Sequence, residues 1–126
     1  MDTKELQALE EKLRARMREL EEEIRRDFEK ADRKIYVSAS EVHDSAERSF
    51  ADQLVGLELA EADRDLTELR AVYAALQRMK SGTYGTCVAC GSPIDDARLR
   101  ALPAAARCRS CEEQREADAS DRPVPR

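Results

Sequence analysis

The sequence contains no tryptophan, and aromatic residues make up only 4 % of it. Charged residues, in contrast, occupy 39 % of the 126 positions. A compact core of ordinary size needs more large apolar side chains than this composition supplies. The composition instead favours helices that share a narrow apolar seam and leave their other faces in water.

Long hydrophobic runs are also absent from the sequence. The opening residues, Met-Asp-Thr-Lys-Glu-Leu, do not have the character of a signal peptide, and no segment reaches the length of a membrane span. We therefore expect a cytoplasmic protein with no membrane partner. The sequence also predicts a monomer.

The sequence also has no excess of positive charge. The 22 Lys and Arg residues face 27 Asp and Glu residues, which gives a net charge of −5. Proteins that bind a phosphate backbone usually carry a basic face. We expect no direct sequence-specific DNA binding.

Residues 1 to about 35 carry an apolar seam at coiled-coil spacing. The seam residues recur every three or four positions for more than four heptads, and no Pro or Gly interrupts them. This pattern predicts one long helix. The seam consists of Leu6, Leu9, Leu13, Met17, Leu20, Ile24, Phe28, Ala31 and Ile35.

A second long helix is predicted from about residue 45 to Lys80. The weak helix formers of residues 36–40 predict a turn at about 36–43, and Asp44 or Ser45 can cap the helix that follows. Two helices joined by a short turn pack antiparallel. Residues 1–80 are therefore predicted to form a two-helix coiled-coil hairpin with its tip at about 36–47. The second seam is expected to include Ala46, Phe50, Leu54, Leu57, Glu61, Arg64 or Asp65, Leu69, Val72, Leu76 and Met79.

Two Cys-x2-Cys pairs follow, Cys87 with Cys90 and Cys108 with Cys111, separated by seventeen residues. Two such pairs can place four thiolates in a tetrahedron around one Zn²⁺ ion, each about 2.3 Å from the metal. Because all four donors are cysteines, no coordination position stays open for catalysis, and the ion is interpreted as structural. Disulfides, or a redox switch through the same thiolates, are the alternatives.

The mainly α chain is thus divided into three segments. Residues 1–80 are the hairpin, residues 81–111 are the zinc-finger module, and residues 112–126 are a short helix with a disordered tail. The last helix is expected from Cys111 to about Ala117, before a polar segment that contains Pro123 and Pro125.

The residues around the cysteines resemble the DksA/TraR family of bacterial transcription regulators. The resemblance rests on G-T-Y-G-x-C-x-x-C-G from Gly82, I-x-x-x-R-L-x-A-x-P from Ile94, and the final C-x-x-C, and it covers about residues 40–115. It implies a non-catalytic protein that binds RNA polymerase and inserts its hairpin into the secondary channel. Acidic residues at the tip would then act near the catalytic magnesium.

The family's tip pattern, D-x-x-D-x-A, aligns with Asp44, Glu47 and Ser49 when it is counted back from the cysteines. Residues 36–63 contain seven acids and one base, Arg48. An acidic tip can enter a channel that contains basic side chains and metal ions. The alternative is a solvated helix start, since acids favour helix N-termini.

The basic residues that hold the nucleotide ppGpp in some family members are not matched in this sequence. The corresponding positions are Ala71, Leu102 and Glu112. A phosphorylated nucleotide needs cationic donors, so weak or absent ppGpp dependence is expected.

Four arginines of the zinc-finger module leave two interpretations open. They could contact the polymerase, or they could offset the formal −2 charge of a zinc tetrathiolate. They are Arg98, Arg100, Arg107 and Arg109.

The functional alternatives to polymerase binding are a general helical interaction module, a thiol-based redox sensor and DNA binding by the zinc finger. An enzyme is not expected, because the sequence shows no nucleophile–base pair and no open metal position.

Overall fold

The structure, a computed structural model, describes the backbone of residues 1–41 and 45–120. Side chains are described at residues 1–33, 52–53 and 55–119. This part of the chain is mainly helical, with one isolated β-bridge between Thr86 and Pro93 and no strand. The helices are α1 (Thr3–Glu41), α2 (Ser45–Ser81), α3 (Asp96–Ala101) and α4 (Arg109–Ser120).

Helix α1 begins where Asp2 caps it, since the Asp2 carboxylate accepts a hydrogen bond from the backbone N–H of Glu5 at 2.8 Å. The helix continues to Glu41. The predicted turn from residue 36 is therefore wrong over residues 36–41. Each weak helix former there costs only a few tenths of a kcal/mol, about 0.7 at most, and no Pro or Gly ends the helix.

Helix α2 begins at Ser45, as predicted, and ends one residue beyond the predicted Lys80. Gly82 has a φ of 81°, and the next N–H, that of Thr83, donates to the carbonyl of Arg78 at 2.9 Å. This is a Schellman ending, in which glycine supplies the left-handed residue that follows the helix. The residues between the two helices, 42–44, lie outside the described part.

The chain divides into two compact units, and α1 and α2 contribute to both. One unit consists of residues 1–14 and 71–126, and the other of residues 15–70. The predicted segment boundaries near residues 80 and 111 stay predictions.

Within residues 15–70, α1 and α2 run antiparallel. The Arg16 guanidinium donates to both oxygens of the Glu68 carboxylate, at 2.5 and 2.9 Å. Farther along α1, the Asp27 carboxylate lies within 4.8 Å of that of Glu61. The partner number falls as the α1 number rises, which is the antiparallel register of a hairpin. The predicted fold class, mainly α with a two-helix hairpin followed by a four-cysteine module and a terminal helix, is confirmed.

From Leu13 to Asp27 the buried positions of α1 recur every seven residues, which differs from the predicted seam. Phe28 is 47 % exposed, whereas Asp27 is only 8 % exposed. Position 27 lies seven residues after Leu20, so it occupies the heptad position even though its side chain is acidic. Leu6, near the start of the helix, is also exposed. The buried apolar residues of α1 are Leu9, Leu13, Leu20 and Ala31.

The seam of α2 depends on smaller side chains than predicted. Leu57, a predicted seam residue, is 63 % exposed, whereas Ala62 and Ala75 are almost completely buried. Leu69 and Val72 are buried as predicted. Alanine at these positions lets two helices approach closely without large side chains between them.

The segment around the cysteines contains more helix than predicted. Helix α3 lies between the two cysteine pairs, where only loop was expected, because six residues are too few to show a helical period. Helix α4 begins at Arg109 and extends to Ser120, so the predicted bounds of Cys111 and Ala117 are too narrow. The predicted disordered segment from 121 to 126 lies outside the described residues. No helix in the described part is long and apolar enough to cross a membrane.

Candidate metal centre

The first cysteine pair lies on a tight turn. The backbone N–H of Gly91 donates to the carbonyl of Cys87 at 3.0 Å, and the N–H of Cys87 donates to the carbonyl of Ser92 at 2.8 Å. Gly91 has a φ of 76°, which favours glycine. This turn brings Cys90 back toward Cys87, so both thiols can face one point.

The second pair lies at the start of α4. The N–H of Glu112 donates to the carbonyl of Cys108 at 3.0 Å, so Cys108 precedes the first turn and Cys111 lies within it. The sulfurs of Cys90 and Cys108 are 3.8 Å apart, and all four sulfurs lie within 4.8 Å of one another. The structure thus brings together the four cysteines that the sequence spacing singled out.

These distances fit a tetrahedral zinc site. Four thiolates at about 2.3 Å from one ion have sulfur–sulfur separations of about 3.8 Å. The donors also need a cation. Backbone N–H groups, that of Cys108 foremost, lower the pKa of the Cys87 thiol to about 6, whereas hydrogen bonds with the other three sulfurs raise the pKa of Cys111 to about 12. Without a cation the Cys111 thiol keeps its proton, and a dication removes this obstacle.

An apolar cluster contains Cys87, and the partly buried Cys108 and Cys111 pack against it, whereas Cys90 is exposed. Cys87 is only 2 % exposed and packs with Leu9, Ile94 and Leu99. Gly85 fits closely here, since a Cβ at this position would lie 3.5 Å from a Leu99 methyl group, and its φ is 85°. The partly buried side chains packed against this cluster include Met79, Tyr84 and Ala105.

Polar contacts fix the loop between α3 and the second cysteine pair. The Tyr84 hydroxyl donates to the carbonyl of Pro103 at 2.8 Å. The Arg78 guanidinium donates to the carbonyls of Ala104 and Ala105, at 3.5 and 3.4 Å. Burial lowers the pKa of Arg78 and raises that of Tyr84. The end of α2 therefore holds the loop that leads into Cys108.

The four arginines of the module all have partners. Arg98 donates to the carbonyl of Arg107 at 3.1 Å, and Arg100 donates to the Glu5 carboxylate at 2.8 Å. The other two form ion pairs, Arg107 with Glu112 at 3.9 Å and Arg109 with Glu113 at 3.2 Å. Three of the four arginines are thus paired with glutamates, and both interpretations of the arginines stay predictions.

The remaining predicted residues divide into two groups. Asp44 and the side chains of Glu47 and Ser49 lie outside the described residues, so the tip assignment stays a prediction. Of the positions aligned with the ppGpp site, Leu102 is exposed, and Glu112 accepts a hydrogen bond from Arg115 at 2.7 Å, which lowers its pKa.

A cluster of three carboxylates was not predicted from the sequence. The carboxylates of Asp27, Glu58 and Glu61 lie within 4.8 Å of one another. Burial raises the pKa of Asp27, and a hydrogen bond with Asp65 and the charges of Asp65 and Glu61 raise it further. Strict heptad counting from Leu20 would have placed Asp27 in the seam. Acidic clusters at a helix surface are common without a metal, and we assign no ion to these carboxylates.

Comparison with known proteins agrees with this geometry. Residues 82–117 match the family described as the prokaryotic dksA/traR C4-type zinc finger. The chain is 36 % identical over 73 residues to the RNA polymerase-binding transcription factor DksA of Caulobacter vibrioides, a match that covers 58 % of this chain and 51 % of the relative. The chain thus spans about half the length of this curated relative.

Two solved structures extend the comparison to most of the chain. The DnaK suppressor protein of Agrobacterium tumefaciens is 30 % identical, with a TM-score of 0.54 over 86 % of this chain and 92 % of that protein. The transcription factor DksA2 of Pseudomonas aeruginosa has a TM-score of 0.76 over 94 % of this chain and 88 % of its own, at 24 % identity. The second match establishes similarity of fold.

The fold and the site together define a helical hairpin protein with a C4-type zinc finger and one structural zinc ion. The cysteine set, the family match and the relatives then agree on a single assignment. The chain belongs to the DksA/TraR family.

Proposed function

We propose that this protein is a non-catalytic transcription regulator that binds RNA polymerase. The observation that carries the proposal is the joint match of zinc finger and hairpin to this family, one relative of which is named as an RNA polymerase-binding factor. The hairpin enters the secondary channel, and Asp44, Glu47 and Ser49 act near the active site. The protein works in the cytoplasm as a monomer.

Charge supports a protein partner over DNA. Seven acids lie in residues 36–63, and the chain as a whole carries a net charge of −5. The arginines of the zinc module, which could have formed a phosphate-binding face, are engaged by carboxylates or carbonyls. An acidic tip is attracted to a basic channel and repelled by a phosphate backbone.

Binding and action can be tested separately. Immobilised full-length protein is expected to retain purified bacterial RNA polymerase, and a variant with residues 36–50 replaced by a short neutral turn is expected to lose most of this retention. In transcription from a ribosomal RNA promoter, Asp44→Asn/Glu47→Gln is expected to bind polymerase while its effect on transcript yield falls at least about tenfold. A loss of that size corresponds to about 1.4 kcal/mol.

A matched control variant removes two negative charges from α1 instead of from the tip. Glu11→Gln/Asp32→Asn changes two exposed acids of α1 and should act as the wild type. Equal transcription effects from the tip variant and the wild type would refute the tip assignment. A wild-type protein that does not bind polymerase would refute the proposed function.

We further propose that the protein acts without ppGpp. Ala71 and Leu102 offer no cation, and Glu112 would repel a phosphorylated nucleotide. Because these positions supply no cation, the transcription effect is expected to change less than about twofold when ppGpp is added. A twofold change corresponds to about 0.4 kcal/mol. Ala71→Lys/Leu102→Lys/Glu112→Lys supplies the missing cations and serves as the comparison. A tenfold response of the wild type would contradict this proposal.

A further inference from the structure

We propose that Leu9 of α1 extends the apolar shell around Cys87 at the zinc site and slows the release of the metal. Leu9 is 5 % exposed and belongs to the same packed cluster as Cys87, Ile94 and Leu99. It lies more than seventy residues before the first cysteine and outside residues 82–117, which match the zinc-finger family. The apolar surroundings of the metal site therefore include a residue from outside the zinc-finger sequence.

Polar contacts hold the same N-terminal residues against α3. The Glu5 carboxylate accepts a hydrogen bond from Arg100 at 2.8 Å. The α-amino group of Met1 lies 3.7 Å from a carboxylate oxygen of Asp96. Both partners are on α3, the helix that carries the buried Leu99. Residues 1–9 thus fix α3 by one apolar and two ionic contacts.

Helix α3 in turn forms a wall of the cluster that contains Cys87. A zinc site loses its metal when water, protons or a competing ligand reach the thiolates, and the apolar shell around a metal controls that access. Leu9 adds to this shell a buried side chain from outside the zinc-finger sequence. Truncation of Leu9 would open a cavity beside the buried Cys87.

The coupling works in both directions. Metal binding and folding are linked when the site is assembled only in the folded state. By linkage, if docking of residues 1–14 strengthens zinc binding by some factor, zinc strengthens that docking by the same factor. Zinc is therefore expected to order the N-terminal turns of α1 as well as the cysteine loops.

The test compares two leucines of the same helix in the full-length protein. Leu9→Ala truncates the buried side chain, and Leu6→Ala makes the same change at an exposed position three residues earlier. Zinc release is followed with a chromophoric chelator. Leu9→Ala is expected to release zinc about 10- to 100-fold faster than the wild type, which matches the loss of metal affinity that outer-shell changes typically cause. Leu6→Ala should stay within about twofold, as an exposed substitution should.

A second pair of variants keeps the apolar cluster intact, in case Leu9→Ala does not fold. Glu5→Gln removes the ion pair with Arg100, whereas Glu10→Gln removes an ion pair within α1, with Arg14. Glu5→Gln is expected to speed zinc release about two- to fivefold, since an exposed ion pair contributes at most about 1 kcal/mol. Glu10→Gln should have no effect on release.

Hydrogen exchange supplies a readout that does not depend on substitution. Chelation of zinc is expected to remove the protection of residues 3–14 while residues 15–33 of the same helix keep theirs. Unchanged protection of residues 3–14 after chelation would overturn the proposal. Equal release rates within both variant pairs would also overturn it.

Discussion

Replacement of Cys87 by Ser is expected to abolish zinc binding and unfold the unit formed by residues 1–14 and 71–120. Serine offers no thiolate, so three donors remain, and Cys87 is also a buried member of the apolar cluster. Structural zinc contributes about 10–16 kcal/mol in small zinc domains, which equals or exceeds the stability of a typical domain. Zinc content should fall from one equivalent to less than about a tenth of one, because three thiolates do not complete the tetrahedral site.

The second unit provides an internal comparison for this experiment. Residues 15–70 contain no cysteine, and their buried side chains include Leu20, Ala31 and Leu69. They should keep their hydrogen-exchange protection in Cys87→Ser. Ser110→Ala changes an exposed residue between Cys108 and Cys111 without altering a donor, and it should retain one zinc. A Cys87→Ser protein that still binds one equivalent of zinc and unfolds at the wild-type temperature would show that this thiol is not a ligand.

The parts of this fold that sequence could predict are those fixed by local spacing. Cys-x2-Cys pairs bring two thiols together within one turn, so the donor set required no knowledge of tertiary structure. Heptad spacing likewise predicted two long helices. Where local propensity alone was used, at residues 36–41, it was too weak to end a helix without Pro or Gly.

The features that sequence did not predict depend on contacts between distant residues. Leu9 was predicted as one of nine equivalent seam residues, but it belongs to the same packed cluster as Leu99, which is ninety positions away. Heptad periodicity identifies a buried face and does not say what covers it. Asp27 shows the same limit, because an acidic residue is not counted toward an apolar seam even when the spacing places it there.

Asp27→Asn, a substitution of the acidic residue in the seam, is expected to stabilise the protein at neutral pH. Most substitutions of buried residues destabilise a protein instead. Burial raises the pKa of Asp27 above its ordinary 3.8, helped by Asp65 and Glu61 and opposed by Lys30. The folded state therefore binds this proton more tightly than the unfolded state does. The resulting stability is complete below pH 3.8 and is lost as pH rises through the raised pKa.

At neutral pH the asparagine amide donates to the Asp65 carboxylate without needing a titrating proton. At about pH 7, Asp27→Asn should raise the free energy of unfolding of residues 15–70 by about 1–2 kcal/mol, the usual cost of a poorly compensated buried polar group. The gain should shrink as pH falls. The pH dependence of the wild type alone would not show this effect. Arg16 lowers the pKa of Glu68, so Glu68 adds a contribution to stability that is lost as pH falls, in the opposite direction to that of Asp27.

The difference between variant and wild type isolates Asp27 from these other carboxylates. Asp32→Asn, which removes an exposed acid of the same helix, should change stability by less than about 0.5 kcal/mol at any pH. Denaturant unfolding followed by far-UV circular dichroism, at several pH values from about 4 to 8, measures all three proteins. If Asp27→Asn destabilises the protein at neutral pH, the prediction is wrong. Contacts of the ionised Asp27 carboxylate would then offset the cost of its burial, and burial would not be the dominant influence on its pKa.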